Sequence, residues 1–132
     1  MVIRKSPSGA LSPYYYKGGY FHGIHYGSYF HDEEALFDMM KKEEEFIIRA
    51  KQPRRILIDL YETDITVCVL EQMRMHLIAL KDYIIKLAIA TDRGNLKKIK
   101  KMFASDEKLQ EICVYFHPDM ETGKTWLVSD EG

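Results

Sequence analysis

Two short polar stretches hold the residues best equipped for chemistry: "DLYETDIT" at 59–66 and "TDRGN" at 91–95. The first carries Asp59, Glu62, Thr63, Asp64 and Thr66; the second carries Thr91, Asp92, Arg93, Gly94 and Asn95. Carboxylates and hydroxyls converging from two loops can hold a magnesium ion or a phosphate, although the same residue types also serve as ordinary helix caps. Gly94 can adopt positive φ and let the N–H groups of a following helix face an anion. Neither G-x-x-x-x-G-K-[ST] nor G-x-G-x-x-G occurs, so no recognised phosphate cradle is present.

A third stretch, "YYYKGGYFHGIHYGSYFH" at 14–31, crowds three histidines among tyrosines and phenylalanines. His22 and His25 are an odd number of residues apart, so on a strand their rings leave opposite faces and cannot share one metal ion. They read as partly exposed strand histidines, and no metal site is expected. The aromatic stripe reads first as packing and second as a partner surface, with Tyr14, Tyr15 and Tyr16 its most exposed members.

The elements that position these stretches follow from periodicity. Residues 1–13, with "SPSGALSP", read as a flexible lead-in, and 14–132 as a single α/β domain. A strand is expected over 20–26, then an amphipathic helix from "DEEALF" with Asp32 as cap, ended by Pro53. "ILIDL" and "YIIKLAIA" read as buried parallel strands. Between them runs a helix capped by Asp64, with Val69 or Leu70, Met73, Leu77 and Leu80 inward. "LKKIKKMF" makes a lysine-faced helix and "EICVYF" a further strand. Alternation of this kind implies parallel neighbours and right-handed crossovers, and it brings the two polar stretches to the carboxyl ends of adjacent strands.

Composition narrows the classes. Lys and Arg number 19 against 20 Asp and Glu, so no positive field gathers nucleic acid. No window reaches the 18 or more apolar residues of a membrane span, and no signal-like segment opens the chain; a cytoplasmic location is expected. Cys68 and Cys113 lie in apolar runs and read as small buried hydrophobes rather than a disulfide.

Two resemblances add to this. "DLYET" with Thr91 resembles the first motifs of haloacid dehalogenase-like phosphatases, in which an Asp nucleophile is followed two residues later by a second Asp. Asp59 and Thr91 match, but Tyr61 stands where the proton-transferring carboxylate would be. More of the chain, about 20–128, resembles the STAS-domain superfamily, the anti-sigma-factor-antagonist-like proteins, and its stand-alone Sec14-like branch. The stretches that carry this are "IHYGSYFHDEEALF", "RRILIDLYET", "YIIKLAIATDRGNLKKIKKMF" and "VYFHPDMETGKTWLV", in that order. The resemblance implies a strand pair at the start, a four- to five-stranded mixed sheet, and helices mainly on one face. In the family's regulatory members a Ser or Thr after an Asp at the start of the second helix is phosphorylated by a partner kinase. Here Ile65 follows Asp64, so Thr66 or Thr63 is the hydroxyl left for that part.

Three roles are therefore expected. The first is a non-catalytic STAS-like module, with no cofactor, binding a regulatory protein partner or a small apolar ligand. The second is a magnesium-dependent phosphate-handling enzyme built on Asp59, Thr63, Asp64 and Thr91. The third is a homodimer or larger homo-oligomer, in which the seven acids of residues 32–45 attract the four lysines of 97–101 in another copy.

Overall fold

A computed structural model describes residues 3–129 and shows an α/β domain. The main sheet has five strands in the order β3 (Tyr14–Tyr16), β4 (Gly19–His25), β5 (Arg54–Asp59), β6 (Ile84–Ala90) and β7 (Val114–Phe116). β3 and β4 are antiparallel; every later pair is parallel. The antiparallel turn needs left-handed backbone at both Lys17 (φ 45°) and Gly18 (φ 87°), the requirement of a tight hairpin.

Helices α1 (Glu33–Ala50), α2 (Val67–Leu80) and α3 (Arg93–Ala104) alternate with the parallel strands. Asp32 caps α1 by accepting from the Ala35 N–H at 3.1 Å, and Glu33 and Glu34 complement the positive end of the helix. α1 stops at Lys51, which turns left-handed (φ 55°) two residues before Pro53. The inward faces of these three helices meet Ile24, Tyr26, Ile56, Ile58, Leu87 and Ile89 in one core. The intervening strand residues Phe21, Leu57 and Ala88 face the other way and pack on Leu127 of α4 (Met120–Val128). Period-two alternation thus divides each strand between two layers, three helices on one side and one on the other.

α4 is seated by cations at its carboxyl end. Lys86 Nζ donates to Trp126 O (3.1 Å) and Ser129 O (2.7 Å), and Arg55 Nη1 donates to Leu127 O (2.6 Å). These bonds reach carbonyls at and just beyond the end of the helix, where intrahelical donors run out. No helix among the described residues is long and apolar enough to cross a membrane.

Several expectations need correction. The presumed lead-in contains a hairpin, β1 (Arg4–Lys5) with β2 (Leu11–Ser12), turned at Gly9 (φ 97°) and with Ser6 and Ser12 buried. Polar, Pro-containing composition hid it because its anchors are hydrogen bonds to distant residues. Cys68 and Cys113 are free and exposed, not buried. Val69, Met73, Leu77 and Leu80 hold the inward stripe of α2, and Cys68 lies one position, about 100°, off it. The cap of α2 is Thr66, whose Oγ1 accepts from the Val69 N–H at 3.1 Å, rather than Asp64.

Candidate functional site

The polar stretches do leave neighbouring strands at one rim, since His25, Asp59 and Ala90 stand side by side across β4, β5 and β6. What they do there differs from residue to residue. Asp59 is buried and takes His25 Nδ1 at 2.8 Å and 3.0 Å on its two oxygens. A carboxylate only accepts, so Nδ1 carries the proton and a neutral His25 keeps Nε2 as an acceptor, on a side chain 52% exposed. Gly27 makes this fit possible: a Cβ there would stand 2.6 Å from both Asp59 Oδ1 and Tyr61 O. Beside the pair, burial raises the Tyr61 phenol, and the carboxylates of Asp119, Asp92 and Asp59 raise it further.

The remaining members of the first loop are engaged elsewhere. Thr63 is buried; its hydroxyl donates to Tyr26 O at 2.7 Å and accepts from the Tyr29 N–H at 3.1 Å. Glu62 takes a left-handed turn (φ 59°) and accepts from Ser28 Oγ at 3.2 Å. Asp64 pairs with His31. Thr66 is exposed, and besides capping α2 it donates to Glu33 Oε2 at 2.5 Å.

In the second loop Thr91 is fully buried, and its Oγ1 is a buried side-chain atom without a hydrogen-bond partner. Asp92 caps α3, accepting from Asn95 N and from Asn95 Nδ2, each at 2.9 Å. Arg93 is exposed. Gly94 is the second residue of α3 and is not among the positive-φ glycines, which corrects the expected anion-facing turn; the helix began earlier because Asp92 captured its first N–H groups. Asp59, Thr63 and Asp64 are therefore each engaged by a different neighbour, and the Thr91 hydroxyl is buried. Among the described residues no three His, Cys, Asp or Glu side chains are grouped to hold a metal ion.

The opposite end of the sheet carries a feature that sequence reasoning missed. A cleft of about 990 Å3 opens at the amino ends of β5 and β6, under the last turns of α1, with Arg54, Arg49 and Phe46 among its lining residues. Its wall is a buried polar chain. Glu43, on the inward face of α1, takes His22 Nε2 at 2.9 Å on one oxygen, and the Ser8 N–H and hydroxyl at 2.9 Å and 2.5 Å on the other. His22 Nδ1 lies 2.5 Å from Ser12 Oγ, which also accepts from Arg54 Nη1 at 3.0 Å. This corrects the reading of His22 as partly exposed: it is buried at 1%. Burial pushes the Arg54 guanidinium down from its ordinary value, and the nearby Glu43 charge opposes that. The available signal was the paired arginine of "KQPRR", read only as a helix stop.

Comparison with protein-family models, curated proteins and solved structures gave no match.

Proposed function

We propose that this chain is a non-catalytic STAS-like module that binds a regulatory protein partner at the rim where α2 begins. The observation carrying this reading is the pair of apolar side chains flanking an exposed cap hydroxyl: Val67 is 83% exposed and Phe30 56%, with Thr66 at the start of the same helix. The backbone holds the two segments together, since Phe30 N–H donates to Glu62 O (2.8 Å) and Asp64 N–H to Phe30 O (2.9 Å). Apolar side chains exposed on fixed backbone beside a reachable hydroxyl offer a contact point for a protein partner. A strand pair at the start, a five-stranded mixed sheet and three of the four helices on one face are consistent with the plan that the resemblance implies.

The phosphate-handling role loses support, because each hydroxyl and carboxylate named for it is committed to a different neighbour or, at Thr91, sealed from solvent. Thr63 is a poor phosphoacceptor because it is buried, whereas the Thr66 hydroxyl, though it caps α2 and bonds Glu33, is exposed.

The test is a partner capture with a matched control. The wild-type chain and a Phe30→Ser/Val67→Asp double variant are each used as bait in extract of the source cells, with unfolding midpoints measured alongside. A partner retained by the wild type and lost from a double variant of equal stability supports the interface. A partner held equally by both, or none retained by either, sinks it.

A further inference from the structure

The chain as a whole is nearly neutral, yet the cleft at the amino ends of the strands is lined by Arg4, Arg49 and Arg54 against one lining carboxylate, Glu45; of its other two cations, Lys42 pairs with Asp38 and Arg55 turns to the carboxyl end of α4. Arg54 is the most telling of them. It is half-buried, and of its five N–H donors one reaches Ser12 Oγ at 3.0 Å and one reaches Gln52 O at 3.5 Å, which leaves three, one on Nη1 and the pair on Nη2, without a hydrogen-bond partner among the described residues. The nearest acid that might neutralise it is Glu43, whose two oxygens are already taken by His22 and Ser8. A half-buried guanidinium with donors to spare and no direct carboxylate contact can take an anion from the cleft. The polar chain behind it makes the site a built one: Ser12, His22 and Glu43 are all buried and fix Arg54 from behind.

The cleft also offers an apolar contact. Phe46 lines it and lies flat against His22, with ring centroids 5.6 Å apart and planes at 19°, so the aromatic surface is rigid before any ligand arrives. Cations on one side and a fixed ring on the other select a compact anionic group joined to a flat or apolar body. We infer that this cleft is a binding site for a small organic anion, its phosphate or carboxylate held by Arg54 and Arg49 and its apolar body lying on Phe46. The site is at the far end of the sheet from the proposed partner rim and stands independently of it.

The experiment is an amide NMR titration at fixed ionic strength with four probes: phenyl phosphate, benzoate, inorganic phosphate and phenol. Phenyl phosphate or benzoate, whichever carries the preferred anion, should move the signals of residues 46–55 and 20–22 and bind at least about tenfold more tightly than inorganic phosphate or phenol. Arg49→Gln and Arg54→Gln should each weaken that probe by roughly tenfold, the loss of a charge-assisted contact. Arg49 is exposed, so its variant answers the question even if replacing Arg54 disturbs Ser12. Phe46→Leu should close the gap between phenyl phosphate and inorganic phosphate. The inference is overturned if neither organic anion binds, if the shifts fall on residues 91–95 instead, or if both arginine variants bind as the wild type does.

Discussion

The two ends of the sheet teach opposite lessons about polar residues. At the carboxyl end the acids and hydroxyls that attract attention in the sequence are, apart from the buried Thr91, used up by their neighbours: Asp59 by His25, Thr63 by two backbone groups, Asp64 by His31, Asp92 by Asn95. At the amino end the residues looked like a helix stop, yet Arg54 keeps donors in hand beside a cleft. Residue types that are capable of chemistry mark a site only when their capacity is unspent. What the carboxyl end keeps in reserve is mainly apolar, at Phe30 and Val67.

The sharpest way to break that contrast is to remove the acid behind the cleft. Glu43→Ala strips His22 and Ser8 of their buried partner and should cost about 3 kcal/mol, read as a fall in the urea midpoint; a loss under about 1 kcal/mol would mean the chain of bonds is incidental. The same group sets an acid limb. Burial alone would raise the Glu43 carboxyl, but hydrogen bonds from His22 and Ser8 and the His22 charge outweigh it and hold it below its ordinary value of 4.5. A depressed folded pKa means stability that is complete above that ordinary value and is lost as pH falls through the folded one. Glu43→Gln should therefore flatten stability against pH below about pH 4.5, relative to wild type.

At the carboxyl end the largest expected effect is steric. Gly27→Ala places a methyl against Tyr61 O and Asp59 Oδ1, and the backbone must yield, at a cost of about 2 kcal/mol by thermal unfolding. Thr66→Ala removes a helix cap and should cost about 1 kcal/mol. Thr91→Val replaces a buried hydroxyl without a partner by a methyl of the same shape, and its midpoint should stay unchanged or rise slightly. A fall of more than about 1 kcal/mol there would show that the hydroxyl has work the geometry does not reveal.

Much of the framework was legible because it is local or periodic. The Asp32 cap, the apolar runs of β5 and β6, and the stop at Pro53 each depend on residues within a few positions. Glu43 shows where this gives out. Leu36, Met40, Glu43 and Ile47 follow one helical stripe, so its burial was there to be read, but "KKEEEF" looks like a solvated face until the register is counted. Its partners could not be read at all, since His22 lies 21 residues away and Ser8 lies 35. The same distance problem hid the first hairpin, whose Ser8 and Ser12 are held by α1 and β4. At the rim, sequence placed the loops together but not their hydrogen bonds, which depend on Gly27 admitting the Asp59 carboxylate.

The sheet's margins carry one more consequence. β3 and β7, the outermost strands, are three residues each. A second molecule arriving ribbon to ribbon would find only a few open backbone groups on either border, too short a template for continuous growth into fibrils.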